Sequence, residues 1–436
     1  MAHGAVSLSA YWRLLRANRN FRRLWLAQII SEMGDWLYTI AIYSLLLELT
    51  HSAQSVALAV VLQVLPQFFV APTAGVINDR VSRRQVMIFA DLARAGVVLG
   101  MLFVSRAEMV WLIYVLLLLE TVMWAFFEPG RSAIVPNITE SEDLVVANAL
   151  SSMSWSLILA VGSAAGGVVA AFFGRDTVFI LNSLSFVISA ALLRSMQFGE
   201  PHLAEAKPLR PGDLVDFSPI AEGISYVTRD KRLLATLLVK AGLGLLGAHW
   251  VFLPLFGERV FPVKIGGLDP QRGAMLGMSF LMGARGAGAL LGPVFGGYWT
   301  GQRHASLRRG ILIGFLAGAL GYLSLAAAPS LWTACIGVVA ANAGTSVVWV
   351  FSTTLLQFQT EDRFRGRVFS TDFAFLVLTG SMASYAAGIL IDSGMPVRRL
   401  AALTGLFALL PALAWAFALR LWKEPQPPSI AHNRDL

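Results

Sequence analysis

A chain of 436 residues that is 56% apolar, only 14% charged and carries a formal net charge of +8 has too little charge for a set of water-soluble domains, which average about 25% charged residues. Its hydrophobicity excludes disorder over most of its length, and a single cysteine, Cys335, excludes a disulfide scaffold. What fits is a polytopic membrane protein, whose apolar surface faces lipid.

The N-terminus begins with a basic arm, Arg13, Arg16, Arg19, Arg22 and Arg23. The apolar run behind it is far longer than a signal-peptide core. Runs long enough to cross a bilayer, about 20 residues each, follow at 24–49, 55–77, 85–105, 109–130, 149–173 and 177–198. Residues 199–232 then break the pattern with Pro201, Pro208, Pro211 and Pro219 among mixed charges. Inside this break Ser218 and Pro219 read as a helix start. Ile220, Ile224 and Val227 repeat at helical spacing, which predicts a short amphipathic helix on the membrane surface. Six further runs lie at 233–257, 273–299, 309–328, 331–356, 369–392 and 399–421. None alternates at period two as barrel strands do, and a helix satisfies its own backbone in lipid.

The predicted fold is an all-α membrane protein with twelve transmembrane helices in two six-helix bundles. Residues 1–198 form the first bundle with its basic arm, 199–232 a cytoplasmic linker, and 233–436 the second bundle with a short polar tail. Most Lys and Arg fall on the N-terminal arm and on 78–84, 199–232, 300–309 and 363–367. This bias places both termini in the cytoplasm and the chain in the plasma (bacterial inner) membrane. The charge is a topology and anionic-lipid signal; with no soluble domain to present a basic groove, nucleic acid is not an expected partner.

The halves read as distant copies. Pro72 and Pro293, Gly75 and Gly296, and Gly167 and Gly388 are each separated by 221 residues. An offset of about half the chain points to an internal duplication, a feature of transporters.

After span 2 the chain reads Gly75-Val-Ile-Asn-Asp79-Arg80-Val-Ser82-Arg83-Arg84. This resembles the loop motif of the major facilitator superfamily, with Ser82 in place of the usual second glycine. Further stretches carry the likeness along nearly the whole chain. They include Ser31-Glu32-Met-Gly34-Asp35, Phe127-Glu-Pro129-Gly, Leu181-Asn182-Ser-Leu-Ser185-Phe186 and Arg365-Gly366-Arg367-Val368. Together they are similar to the macrolide-efflux-like and enterobactin-exporter-like branch. The resemblance implies secondary export of a small amphipathic molecule against inward proton flow, by a protein that is usually monomeric. It implies that Gly75, Asp79, Arg80, Arg83 and Arg84 form a gating loop. Two departures stand out. The span-5 antiporter motif appears as Gly162-Ser-Ala-Ala-Gly166-Gly167 without its proline, and Glu120 lies in the region of the family's span-4 arginine.

Ionisable groups at membrane depth are costly and mark pathways. Glu32 and Asp35 are three apart on span 1 and share a face. Two carboxylates that close disfavour double ionisation, which suits reversible protonation; pairing with a neighbouring base is the other reading. Glu120 is a third candidate for proton coupling. Asp91 and Arg94 have the spacing of a self-neutralising pair. Lys240 is placed to snorkel toward the cytoplasm. The six deepest groups, Glu32, Asp35 and Glu120 against Arg94, Arg285 and Lys240, balance. Arg285 can bind an anionic substrate or serve structure alone, and His249 can relay protons or simply pack. Candidates for the substrate cavity are Trp36, Tyr38, Arg94, Trp124, Trp155 and Arg285, with Tyr43 and Trp250 as further aromatic wall. The chain has no phosphate-binding G-x-x-x-x-G-K-[ST] loop, no zinc-type H-E-x-x-H and no Cys/His cluster. No cofactor, metal or enzymatic chemistry is expected. A lipid flippase of the same fold, an uptake symporter and a non-transporting scaffold or sensor remain as alternatives.

Overall fold

The computed structural model describes residues 8–204, 218–267, 269–300, 304–361 and 364–421. Regular structure among them is entirely helical: α1 (Leu8–Ala17), α2 (Arg19–Thr50), α3 (Ala53–Arg80), α4 (Arg83–Gly100), α5 (Val110–Ile138), α6 (Leu144–Phe173), α7 (Arg175–Arg194), α8 (Ser218–Val227), α9 (Lys231–Gly244), α10 (His249–Leu255), α11 (Pro270–Thr300), α12 (His304–Ala327), α13 (Leu331–Gln359), α14 (Arg365–Asp392), α15 (Val397–Phe407) and α16 (Leu409–Leu421). Among the described residues eleven helical segments are long and apolar enough to cross a membrane. α2 is not among them although it has 32 residues. Its apolar part is diluted by Glu32, Asp35 and Glu48 and by Ser31, Gly34, Tyr38, Thr39, Tyr43 and Ser44, which lower its mean hydropathy.

Local chemistry sets the helix ends. The Asn18 side chain starts α2 by accepting from Phe21 N at 2.9 Å, and Asp230 starts α9 by accepting from Arg232 N at 2.7 Å. His51, in the left-handed region at φ 52°, ends α2 with its N–H on Leu47 O.

Four boundaries differ from those read in the sequence. α3 runs on to Arg80, so Gly75–Arg80 is helical and only Val81 and Ser82 turn the chain. α5 continues to Ile138 through Pro129 and Pro136; neighbouring helices can satisfy the backbone groups that such prolines free. The run 233–257 is broken: α9 stops at Gly244, a tight turn spans Leu245–Ala248, and α10 leads into a π turn at Phe256–Val260. The run 399–421 divides at Ala408 into α15 and α16. The short helix predicted within 199–232 is present as α8, but it packs on α14 and its Val227 is buried with Leu233, Leu237, Leu356 and Val368. Residues 205–217 lie outside the described residues.

The two halves of the chain meet through small residues, with α6 on α11 and α3 on α14. A Cβ at Gly167 would come within 2.6 Å of Ser279 Cβ on α11, and one at Gly388 within 2.6 Å of Ala57 Cβ on α3. The two glycines 221 residues apart thus play matching parts, each admitting a helix of the other half. At this end Asp392, the last residue of α14, accepts from the backbone N–H of Ala53 (2.7 Å) and Gln54 (2.9 Å) at the start of α3 and from the Ser52 hydroxyl (2.5 Å). Arg259 adds a bond to His51 O at 3.2 Å.

Candidate functional site

The first half gathers its charges on α2, α4 and α5. Asp91 and Arg94 pair across one turn of α4 at 2.5 Å, as their spacing predicts. Asp91 also accepts from the Ser189 hydroxyl of α7 at 2.6 Å. Arg94 is 1% exposed. Its guanidinium lies 4.2 Å from the Phe186 ring centroid and 4.8 Å from that of Phe127, and reaches Asp35 on α2 at 3.5 Å. Glu120 on α5 is buried and within electrostatic reach of both Asp35 and Arg94. One turn before Asp35, Glu32 accepts from Gln28 at 2.9 Å, and Gln28 accepts from Arg131 at 3.2 Å. Arg131 itself pairs with Glu128. One oxygen each of Glu32 and Asp35 is buried without a hydrogen-bond partner.

The second half is arranged differently. Lys240 on α9 pairs with Asp372 on α14 at 3.2 Å, donates to Thr353 at 2.9 Å and lies 3.9 Å from the Trp349 ring centroid. It is 2% exposed and does not snorkel. Pairing inside the protein supplies what a reach to the interface would have supplied. Asp372 and Asp91 complete the deep acids, so the six-group balance read from the sequence does not hold. Five deep carboxylates, Glu32, Asp35, Asp91, Glu120 and Asp372, face three bases, Arg94, Lys240 and Arg285.

The break after α9 presents His249 and Trp250. Gly247 permits it: a Cβ there would sit 2.8 Å from Gly380 O on α14. His249 Nδ1 faces Leu246 O at 2.8 Å, and Arg285 Nε donates to His249 Nε2 at 3.2 Å. The Arg285 guanidinium lies 3.5 Å from the Trp250 ring centroid. Trp36 of α2 stacks on Trp250 at 6.2 Å, and Trp155 of α6 meets Trp36 edge-on at 6.5 Å. Trp155 is 44% exposed. Trp36, one residue from Asp35, therefore joins the α2 carboxylates to the Arg285 group.

The remaining candidates fall elsewhere. Tyr38 is buried, with Phe179 edge-on at 5.8 Å. Tyr43 donates to Gln63 at 2.7 Å. Trp124 is half-buried on α5, apart from the Trp36 stack. Arg94 is enclosed by its carboxylates and rings. Sequence reasoning passed over Asp372, though an aspartate in an apolar run was the available signal.

In the Gly75–Arg84 motif Ser82 has φ −57° and needs no glycine; its hydroxyl caps α4 by accepting from Gln85 N at 3.3 Å. Asp79 is exposed and pairs with Arg83 at 3.4 Å. Arg83 donates to Asn78 O and to Ala133 O of α5, both at 3.1 Å. Arg84 donates to Met196 O at 2.7 Å. Glu200 accepts from Arg83 N at 2.7 Å and from the Ser82 hydroxyl at 2.5 Å, placing an anion at the start of α4. Nothing in the sequence marked Glu200.

Comparison with known proteins agrees with this architecture. The family described as transmembrane secretion effector matches residues 10–434. The chain is 29% identical over 286 residues to the MFS-type transporter YkuC of Bacillus subtilis; the match covers 64% of this chain and 64% of YkuC, just under two thirds of that relative. It is 26% identical over 390 residues to macrolide efflux protein A of Streptococcus pyogenes, covering 87% of this chain and 88% of that one. Among solved structures, a POT family transporter in complex with a thioalcohol-conjugated peptide aligns with a TM-score of 0.71 at 12% identity, over 93% of this chain and 97% of that one.

Proposed function

The chain belongs to the transmembrane secretion effector family of major facilitator transporters, and from that premise we propose that it exports a small amphipathic compound in exchange for protons. It is a multi-pass integral membrane transporter and not an enzyme. In the proposed arrangement α2 is the twelfth spanning helix. Two six-helix bundles, 1–198 and 233–436, joined by 199–232, rock about a central site. Both termini lie in the cytoplasm of a bacterial inner membrane, and the working unit is a monomer. The Asp392 end, where the halves are bonded together, then faces outward.

One observation carries the reading. The α2 face that holds Glu32 and Asp35 also holds Trp36, which stacks on Trp250 beside Arg285. The carboxylates proposed to carry protons and an aromatic surface are thereby adjacent on one helix. The proposed cycle has Asp35 or Glu32, with Glu120 nearby, take a proton from outside as substrate leaves and release it inside. Trp36, Trp155 and Trp250 form the substrate wall, with Trp124, Tyr38 and Arg94 behind it. The motif at Gly75, Asp79, Arg80, Arg83 and Arg84 holds the opposite end when that end closes. The export direction draws on the likeness to macrolide efflux protein A.

The test uses purified protein in liposomes with an imposed pH gradient and a panel of macrolides, dyes and lysolipids. Gradient-driven movement lost in Glu32→Gln or Asp35→Asn with binding retained supports the proposal. Movement that ignores the gradient in wild type and both variants overturns it, and lysolipid movement alone would indicate a flippase.

A further inference from the structure

Of the three deep bases, two have carboxylate partners. Arg94 has Asp91 and Asp35, and Lys240 has Asp372. Arg285 has none among the described residues, yet it is 7% exposed. Its one side-chain hydrogen bond goes to His249. His249 Nδ1 faces a carbonyl oxygen, a contact that an N–H makes, so Nε2 is bare and accepts from Arg285. A neutral imidazole brings no compensating charge. Arginine does not deprotonate in proteins, so a full positive charge stays buried. The Trp250 face offsets some of this, but a desolvated cation–π contact contributes only about 2 kcal/mol or somewhat more. An isolated buried ion costs several times that.

Two donors at this place have no partner. Arg285 Nη1 is buried and unbonded, and so is the Tyr322 hydroxyl. The Tyr322 ring stacks on His249 at 6.1 Å, which sets it beside the same guanidinium. Flat aromatic surface leads away from them through Trp250 and Trp36 to the exposed Trp155.

We propose that Arg285 and Tyr322 form an anion subsite, and that the molecules carried bear a carboxylate on a flat aromatic or conjugated body. This deepens the export reading and rests on it. When the Trp36–Trp250 stack opens, the carboxylate accepts from Arg285 Nη1 and Tyr322 Oη, and the flat body takes up the aromatic contact between Trp36 and Trp250. The rival occupant is an α2 carboxylate, Asp35, brought to Arg285 in another state of the cycle.

The test compares 1-naphthaleneacetate with 1-naphthaleneacetamide, which share a ring system and differ in charge. Binding to the purified full chain in detergent at pH 7 is read by equilibrium dialysis. Wild type is expected to hold the acid about tenfold tighter than the amide, or more, a difference of about 1.4 kcal/mol per tenfold. Arg285→Gln is expected to lose this preference, read as the ratio of acid to amide affinity within each preparation, and Arg285→Lys to keep part of it. Tyr322→Phe removes one hydroxyl, leaves the packing intact and is expected to narrow the preference; it serves if Arg285→Gln does not fold. Equal binding of the two probes by wild type overturns the proposal, as does a preference that survives Arg285→Gln. Either result turns Arg285 over to Asp35. No gradient enters the measurement, so a failure of proton-driven export in liposomes would be seen separately.

Discussion

Among the described residues, the first half of the chain sets four carboxylates, the buried Asp91 and Glu120 and the half-buried Glu32 and Asp35, against the guanidinium of Arg94, with Arg131 shared between Glu128 and the Gln28–Glu32 pair. Among the described residues, the second half buries two bases, Lys240 and Arg285, with the single carboxylate of Asp372. A surplus of acid in a low-dielectric interior can be relieved by binding protons. A surplus of arginine cannot, because arginine keeps its charge, and an anion must come to it. On the proposed reading the two halves take different partners, protons in the first and substrate in the second, with Trp36 between them.

The largest expected effects come from removing a paired base. Arg94→Leu and Lys240→Met should each cost about 3–5 kcal/mol, since each strands a buried carboxylate; thermal unfolding in detergent reads this. The halves should then part company. Adding Asp372→Leu to Lys240→Met should restore most of the loss, whereas adding Asp91→Leu to Arg94→Leu should not, because Asp35 and Glu120 remain uncompensated. Equal rescue in both halves would break the comparison.

Coupling should be lost from one half only. Asp35→Asn is expected to lower gradient-driven export about tenfold or more, some 1.4 kcal/mol or beyond, with substrate binding retained. The Lys240→Met, Asp372→Leu double variant should keep its gradient dependence. Transport assays on the two preparations side by side decide this.

A smaller effect belongs to the seam between the halves. Asp392→Ala removes the acceptor for two backbone N–H groups at the start of α3 and should cost that closure about 1–2 kcal/mol. With Cys335 replaced by alanine, a cysteine introduced at Gln54 should react with maleimide faster when Asp392 is absent. Smallest is Glu200→Gln at the opposite end. It weakens an anion at the start of α4 by about 0.3–1 kcal/mol, a modest fall in the unfolding temperature.

Much of this was legible in the chain. Hydropathy located eleven spanning runs that the structure repeats as helices, spacing found the Asp91–Arg94 pair, and the 221-residue offset picked out Gly167 and Gly388. The break at Gly244–Ala248 was not legible, because the turn is as apolar as the helices beside it and hydropathy passes straight across. The Lys240–Asp372 pair joins residues 132 positions apart, and no local pattern encodes such a meeting. Tyr38 and Trp36 lie two apart on α2 and looked alike as wall residues, but helix rotation buries one on Phe179 and turns the other to Trp250. Glu200 was hidden because its work is done on α4, far away in sequence.

The most direct test of proton exchange uses liposomes with no imposed pH gradient and a trapped pH dye. A substrate gradient is applied, and the pH inside is followed as substrate runs downhill. The account predicts a proton flux opposite to the substrate in wild type and none in Asp35→Asn, even though that variant still exchanges labelled for unlabelled substrate. Substrate movement in wild type with no change in pH would contradict it.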